Sequence, residues 1–195
     1  MIGNDIVDLT VAAKESNWQR KGYLEKVFTA YEQKCIRNAA DAHKMVWRLW
    51  SIKESAYKVH VQQYGKRFFA PKKMSCELTS ATSALVTCND SQYTVATQEK
   101  GEAIFSTAIF LGDKTKASHF CFVTGMLTAK AQSNKIHHEL KKRLSQDAQL
   151  SYEGLHIAKT NAGVPVLFYK NRRLSIPFSI THHGRFAAIS ILKAS

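Results

Sequence analysis

The sequence predicts an α+β protein in which an antiparallel sheet packs against a long helix, and three observations support this prediction. Residues 2–9 are rich in β-branched side chains, which favour strands. Residues 29–63 carry apolar side chains at helical spacing. Residues 68–126 and 155–192 contain short β-branched and aromatic runs separated by turn residues, a pattern typical of antiparallel strands. Because the predicted strands outnumber the helices, the chain fits the α+β class.

The N-terminal strand contains an acid, Asp5, between apolar neighbours. A buried carboxylate is costly unless it is paired or binds a cation, so Asp5 is a candidate metal ligand. The alternative is an acid that caps a turn at the end of the strand. In the same strand, Gly3 permits another backbone segment to approach closely.

The helical region divides into two segments, and the second begins after Asp41 and ends at Gly65. Trp50, Glu54 and Lys58 lie four residues apart on this second helix. Each step of four residues advances only about 40° around the helix, so the three side chains share one stripe. The stripe is a candidate catalytic face, and the alternative is an ordinary surface ion pair between Glu54 and Lys58.

The rest of the chain alternates between strands and one more helix, and no internal repeat is visible. A basic amphipathic helix is predicted over residues 133–149. Near the C-terminus, the segment Ser179-Ile180-Thr181-His182-His183-Gly184 leads a strand into a turn, where hydroxyl and imidazole groups are able to hold an anionic oxygen. The alternative is a histidine with a structural role in the turn. The predicted later strands are 76–88, 93–97, 103–111, 120–124, 155–159, 164–169, 175–181 and 186–192.

The composition fits a single domain with a strongly basic surface. The chain has 195 residues, with 28 Lys and Arg against 15 Asp and Glu, which gives a net charge of +13. Such a surface attracts nucleic acid, an anionic membrane, an acidic protein or a phosphorylated small molecule.

Targeting signals are not evident in the sequence. No apolar run approaches the roughly 20 residues that span a bilayer, and the N-terminus does not match a signal peptide. The four cysteines lie far apart without a CxxC pair, as expected of packing cysteines in a reduced protein. We therefore expect a cytoplasmic protein that does not enter a membrane.

Taken together and in order, these segments resemble the 4'-phosphopantetheinyl transferase superfamily, and most closely its holo-[acyl-carrier-protein] synthase branch. The family has a G-x-D-[IV]-V strand, an F-[TS]-x-x-E helix start, a W-x-x-K-E-[AS]-x-x-K helix and two motifs near the C-terminus. The counterparts here are Gly3-Asn4-Asp5-Ile6-Val7, Phe28-Thr29 with Glu32, Trp50 with Lys53-Glu54-Ser55 and Lys58, Gly163-Val164-Pro165, and Ser179-Ile180-Thr181-His182 before Phe186-Ala187-Ala188.

The resemblance implies a 4'-phosphopantetheinyl transferase-like fold formed by one domain, residues 1–195. The matching core covers about 1–63 and 150–195, and a β-rich insertion covers about 65–149. The implied enzyme moves the 4'-phosphopantetheine group from coenzyme A to a serine of an apo acyl or peptidyl carrier protein and releases 3',5'-ADP. Fatty acid biosynthesis, polyketide assembly and peptide assembly all use such carriers, and the sequence leaves the pathway open.

The resemblance also implies roles for individual residues. Asp5 and Glu54 would hold a magnesium ion on the coenzyme A pyrophosphate, and two protein ligands suffice because magnesium keeps several waters. Glu54 would accept the serine proton, directly or through a water, and Lys58 would neutralise charge on the phosphoryl oxygens. Lys53 would either contact a phosphate or lock the helix. From the opposite side, the coenzyme A phosphates would contact His182, together with Ser179 or Thr181.

Two departures from the family pattern affect these expectations. Larger relatives carry a second acid two residues after the strand aspartate, where this chain has Val7. Because strand side chains alternate, Asp8 should point away from Asp5, and we expect a water at the missing ligand position. Short synthases form trimers with sites between subunits, whereas double-length relatives are monomers. No second half precedes the Gly3 strand, and this favours a homo-oligomer, with a trimer preferred to a monomer. The alternative is that the inserted strands replace the neighbouring subunit.

The expected partners, coenzyme A and an acidic carrier protein, match the basic charge. Three basic clusters are candidate contacts or, alternatively, ordinary solvated charge: Lys72-Lys73, Lys141-Lys142-Arg143 and Arg172-Arg173. Two other functions stay open. A nucleic-acid-binding module would use the basic surface and strand aromatics but gives no role to Asp5 or Glu54, and we expect no nucleic acid partner. An inactive family member would only bind a carrier.

Overall fold

The structure, a computed structural model, describes residues 1–192, and the last three residues of the predicted domain 1–195 lie outside the described residues. A short 3-10 helix covers Pro71–Lys73. The helices are α1 (Leu9–Glu15), α2 (Tyr23–Val27), α3 (Ala30–Asn38), α4 (Ala42–Tyr64) and α5 (Ala129–Ala148). The strands are β1 (Ile2–Asp8), β2 (Ser75–Leu78), β3 (Ser83–Cys88), β4 (Ser91–Lys100), β5 (Ala103–Phe110), β6 (Ala117–Val123), β7 (Leu155–Lys159), β8 (Pro165–Tyr169), β9 (Arg172–Leu174), β10 (Phe178–His183) and β11 (Phe186–Leu192).

The first half of the chain, residues 1–110, forms a five-stranded antiparallel sheet with the order β1-β5-β4-β3-β2. Helix α4 packs across β1 and β5. A Cβ atom at Gly3 would overlap the Ser55 carbonyl oxygen of α4, so glycine lets β1 lie directly against the helix. The predicted antiparallel sheet on a long helix and the close approach at Gly3 are both confirmed.

The second half, residues 117–192, repeats this topology in a shorter form. Each half begins with a strand, continues into its longest helix and ends with a strand that pairs antiparallel with the first: β1 with β5, and β6 with β11. The second half forms two three-stranded sheets, β10-β11-β6 and β7-β8-β9, and α5 packs on β11 and β7. This repeat of topology was not visible as a repeat of sequence.

The two halves meet where β1 lies beside β10. Within residues 1–192 these strands belong to different sheets, and the bonds that join them come from side chains. The Asn4 amide donates to Ser179 Oγ at 3.1 Å, and the Asp8 amide donates to His183 Nδ1 at 3.0 Å. The Asn4 side chain also donates to Ser190 Oγ in β11 at 3.1 Å. We call this line of contacts the seam.

Asp8 and Arg185 close one end of the seam. Arg185 Nε and Nη2 donate to the two carboxylate oxygens of Asp8 at 2.7 and 2.8 Å. Burial alone would raise the pKa of Asp8, but hydrogen bonds from Arg185 and from the Val11 amide outweigh it and lower the pKa to about 2. Asp8 also caps α1, where its side chain accepts from the amides of Thr10 and Val11.

Several predicted elements differ from the structure. The single strand expected over 76–88 is two strands, β2 and β3, separated by a turn. Strand β6 leaves the expected meander and pairs with β11, because the chain crosses to the second half there. Helices α1 and α2 were not predicted since both are short, and β9 occupies part of the expected 170–173 turn.

A buried ion pair ties α4 to the start of α3. Glu32 caps α3 and accepts from Lys53 Nζ at 2.7 Å and from the Cys76 amide at 2.7 Å. The two charged side chains are 0% and 2% exposed. Lys53 Nζ also donates to the carbonyl oxygens of Pro71 and Met74, at 3.0 and 2.8 Å. Burial lowers the pKa of Lys53, and the Glu32 charge opposes this.

Two further features concern the whole described chain. Each cysteine, Cys35, Cys76, Cys88 and Cys121, has a free thiol. None of the described helices combines the length and the apolar character required to cross a bilayer.

Replacing Lys53 tests the buried pair. We expect Lys53→Met to lower the free energy of unfolding by about 3–5 kcal/mol, because it leaves the Glu32 carboxylate buried without its partner. Urea denaturation measures this loss. Lys44→Met is the matched control because it removes an exposed ion pair with Glu99. An equal effect of the two substitutions would contradict the structural role of Lys53.

Candidate active site

A cleft of about 390 Å³ lies between the two halves. Helix α4 contributes Glu54 and Lys58 to one wall, and β10 contributes Ser179 and His182 to the other. Additional lining residues come from the loop after α4, helix α5 and the β7–β8 hairpin: Arg67, His137, Lys159 and Ala162–Pro165. The volume is in the range of small-molecule and cofactor sites.

Asp5 lies at the seam, 9% exposed, between donors from both halves. Lys58 Nζ, from the first half, lies 3.4 Å from Asp5 Oδ1. The Thr181 hydroxyl, from the second half, donates to the same oxygen at 3.1 Å. Burial raises the pKa of Asp5, and Lys58 and Thr181 oppose the shift. Asp5 is therefore a buried acid with partners, as its apolar surroundings required.

Glu54 is the second acid at this place. Its pKa is raised to about 7, first by burial and then by the negative charge of Asp5, while Lys58 opposes the shift. Within the described residues, no group donates a hydrogen bond to the Glu54 carboxylate. Asp5 and Glu54 thus place two negative charges near each other in a partly buried site. A bound cation would offset their repulsion.

Lys58 connects helix α4 to strand β1. Its Nζ donates to the Asn4 carbonyl oxygen at 2.6 Å as well as to Asp5. The side chain lies one turn beyond Glu54 on α4, and these two residues of the predicted stripe line the cleft, whereas Trp50 lines a separate, smaller cavity. The ammonium group is thereby fixed at Asp5, its charge also acts on Glu54, and the Lys58 side chain stays 29% exposed.

The three candidates on β10 differ in placement. Thr181 points into the seam and bonds Asp5, whereas Ser179 accepts from the Asn4 amide and also lines the cleft. His182 lies in the cleft wall and is exposed. Burial lowers its pKa, as do the positive charges of Lys58, His183 and Lys159. An anion bound among these cations would raise the pKa of His182 again.

Three of the predicted site residues do not line the cleft: Asp5 and Thr181 bond each other at the seam, and Lys53 lies elsewhere. The motif brings it next to Glu54 in sequence, but the side chain points into the first half and binds Glu32. Of the two roles considered for Lys53, a phosphate contact and a lock on the helix, the geometry favours the lock. Partners 21 residues away in the chain determine this direction, and the motif alone does not contain them.

Three basic cleft residues were not singled out from the sequence: Arg67, His137 and Lys159. They lie in a loop, a helix and the end of a strand, without a shared motif. Arg67 Nε donates to the Ala162 carbonyl oxygen. Gly163 has φ +73°, and a Cβ there would overlap the Arg67 guanidinium. The Gly163-Val164-Pro165 motif was thus a usable signal, since its glycine makes room for this cation.

The raised pKa of Glu54 predicts an effect of Glu54→Gln on stability. Below pH 4.5 the carboxyl is protonated both folded and unfolded, so its burial costs little. The cost of burying the charge grows as the pH rises from 4.5 to about 7, and it is fully present above that value. We therefore expect Glu54→Gln to raise the free energy of unfolding by about 1–3 kcal/mol at pH 8 and to leave it unchanged at pH 4.

Urea denaturation in EDTA at both pH values measures this difference. Glu153→Gln, at an exposed carboxylate, is the control for a change of net charge. A stabilisation by Glu54→Gln that does not depend on pH would contradict the proposed burial of its charge.

Comparison with known proteins identifies the family. The family model of the 4'-phosphopantetheinyl transferase superfamily matches residues 1–110. Among solved structures, the holo-[acyl-carrier-protein] synthase of Thermotoga maritima is similar, with a TM-score of 0.44 and 9% sequence identity over 88% of this chain and 83% of that chain. No curated protein matches the chain. Because the family model covers more than half of the chain, the protein belongs to the 4'-phosphopantetheinyl transferase superfamily.

Proposed function

We propose that the protein transfers 4'-phosphopantetheine from coenzyme A to a serine of an apo carrier protein, as in the holo-[acyl-carrier-protein] synthase branch. The observation that carries the proposal is the pair of carboxylates, Asp5 buried at the seam against Lys58 and Glu54 in the cleft wall, close enough for the Asp5 charge to raise the pKa of Glu54. The reaction needs negative charge to be held and a hydroxyl to be deprotonated at one place. This arrangement supplies groups for both tasks.

The cleft supports coenzyme A as the donor. Coenzyme A carries several phosphate charges, and Lys58, Arg67, His137, Lys159 and His182 line the same cavity. Cations from both halves would therefore surround the phosphates. The wall also includes apolar side chains, such as Val61 and Ile180, against which the uncharged part of the ligand would pack.

The residues fit a magnesium ion. Asp5 and Glu54 supply the hard carboxylate oxygens that magnesium prefers, and a bound cation would lower the raised pKa of Glu54. The described residues hold no cluster of three or more His, Cys, Asp or Glu side chains. Phosphate oxygens and waters would therefore complete the coordination. When bound, the ion supplies positive charge next to the pyrophosphate.

The chemistry follows from the positions of the chain's own groups. The serine oxygen forms a bond to the β-phosphorus of coenzyme A while the bond from that phosphorus to the leaving 3',5'-ADP breaks. Glu54 accepts the serine proton, directly or through a water. Lys58 stabilises negative charge on the phosphoryl oxygens. Thr181 and Lys58 hold Asp5 in place.

The origin of the cleft bears on assembly. Both walls of the cleft come from one chain. A homo-oligomer, which the sequence favoured, stays a prediction, and the cleft does not depend on it.

Transfer is tested by mixing the protein with coenzyme A, magnesium and an apo acyl carrier protein, and then measuring the intact mass of the carrier. We expect a gain of one phosphopantetheine group, and we expect EDTA to abolish it. Glu54→Gln and Asp5→Asn should each reduce the rate by at least about 100-fold, because each removes a charge that acts in the reaction.

Glu153→Gln, at an exposed position outside the cleft, should transfer at the normal rate. No mass gain on fatty acid, polyketide or peptide carriers would overturn the proposed function. Salt-sensitive binding of nucleic acid without transfer would instead favour the nucleic-acid-binding alternative.

Magnesium binding should depend on pH through Glu54. The ion binds the carboxylate and displaces its proton, so with a pKa of about 7 the apparent affinity should rise about tenfold from pH 6 to pH 8. Isothermal titration of magnesium into the protein with coenzyme A measures this affinity and, in buffers of different ionisation enthalpy, the proton released. Glu54→Gln should weaken binding and remove the dependence. Equal affinity at both pH values in the unmodified protein would contradict Glu54 as a ligand.

A further inference from the structure

The positive charge of the protein is concentrated in the later part of the chain. Residues 111–195, which include the second half, contain 13 Lys and Arg against four Asp and Glu, whereas residues 1–110 contain 15 against 11. The proposed reaction uses little of this excess, because Lys159 is the one lysine or arginine of residues 117–192 that lines the large cleft. An uneven distribution of charge along a chain indicates a contact with nucleic acid or with a membrane.

Two of the basic clusters predicted from the sequence meet on one surface of the second half. Lys141 Nζ of α5 lies 4.1 Å from the centroid of the Tyr152 ring, and Lys170 Nζ lies 5.4 Å from the centroid of the Tyr169 ring. Ser151, next to Tyr152 in the chain, brings the two tyrosines together, since its Oγ lies 3.5 Å from Tyr169 Oη. The cluster on α5 and the cluster on the β8–β9 hairpin are thus joined through two aromatic rings.

One more cation belongs to this surface. Arg172 is the direct cross-strand neighbour of Tyr169, so both side chains lie on the same face of the hairpin. Arg143 of the α5 cluster does not belong to it, because its guanidinium packs on the Phe120 ring of β6, at 3.8 Å. An exposed acid, Glu153, follows the first tyrosine, and four cations outnumber it. We call this surface the tyrosine patch, formed by Lys141, Lys142, Tyr152, Tyr169, Lys170 and Arg172.

The two rings of the tyrosine patch are fixed by their own surroundings. Tyr152 Oη lies 2.9 Å from His138 Nδ1. Tyr169 packs against the core of the second half, and a Cβ at Gly154 would overlap its ring, so glycine lets the preceding turn lie directly against it. Because the rings already have defined positions, a ligand that stacks on them loses less conformational entropy on binding.

The composition of the tyrosine patch favours a nucleic acid over a lipid or protein surface. The exposed large apolar side chains of residues 1–192, such as Val123 and Met126, all lie outside the patch. Membrane-bound surfaces and the centres of protein interfaces depend on such apolar side chains. Aromatic rings alternating with cations are instead typical of surfaces that stack bases and contact phosphates.

We propose that the tyrosine patch binds single-stranded nucleic acid, with bases stacked on its two rings and phosphates held by its four cations. This activity goes beyond the proposed transfer reaction and does not require it, because the six patch residues do not line the large cleft. The expectation of no nucleic acid partner came from the roles of Asp5 and Glu54, and a separate surface leaves those roles unchanged.

Fluorescence anisotropy with a labelled single-stranded RNA of about 20 nucleotides tests the proposal. If four phosphates are neutralised, the Kd should rise about 50-fold between 50 and 200 mM salt. At 50 mM salt we expect Lys141→Glu with Lys142→Glu to raise the Kd at least about tenfold. Tyr152→Leu keeps the net charge and removes the stacking surface, and it should raise the Kd about fivefold or more.

A matched control separates the patch from the overall charge of the protein. Lys72→Glu with Lys73→Glu makes the same charge change at an exposed site in the first half and should leave the Kd within about twofold. The KM for coenzyme A should stay unchanged in Tyr152→Leu, because Tyr152 lies outside the large cleft. An equal loss of RNA affinity in both charge-reversed pairs would overturn the patch, since it would indicate a general attraction of the basic protein for polyanions.

A second polyanion separates a nucleic acid partner from an acidic protein. Polyglutamate has the charge but no bases, so at equal charge concentration it should displace the RNA only weakly. Ready displacement by polyglutamate, together with unchanged RNA binding by Tyr152→Leu, would overturn the proposal in favour of an acidic protein partner. Absence of RNA binding by the unmodified protein at 50 mM salt would overturn it outright, whether or not phosphopantetheine transfer is observed.

Discussion

The contact between β1 and β10 is the constraint on which the candidate site depends. It places Asp5 where a lysine of its own half and a threonine of the other half bond the same carboxylate oxygen. Because side chains form these bonds, the identities of a few residues, such as Asn4 and Ser179, determine how the halves fit together. Strand propensity alone does not specify this fit.

Burial of charge links the site to the stability of the fold. The pKa values of Asp5 and Glu54 are both raised, which means that the ionised site costs folding free energy in the absence of a counter-ion. Proteins retain such costs where function requires them. Neighbouring residues of α4 divide these roles: Lys53 turns inward to neutralise Glu32, while Glu54 turns to the cleft.

Local patterns in the sequence predicted the parts of the fold that local physics determines. Strand β1, the caps of α4 at Asp41 and Gly65, and the stripe of Glu54 and Lys58 were predicted from spacing and residue type, and the structure contains them. The repeated topology was not predicted, because the two halves bury different side chains. The direction of Lys53 and the gathering of the basic cleft residues depend on segments distant in the chain, and no short window of sequence contains both partners.

Because the two walls of the cleft come from two halves of one polypeptide, the site depends on protein concentration differently from a site between subunits. A site formed between separate subunits is lost when the protein is diluted, because the subunits dissociate according to mass action. Here the peptide connection between α4 and β10 keeps the two walls at a fixed effective concentration, whatever the amount of protein present. Specific activity would then be independent of enzyme concentration down to the most dilute assays.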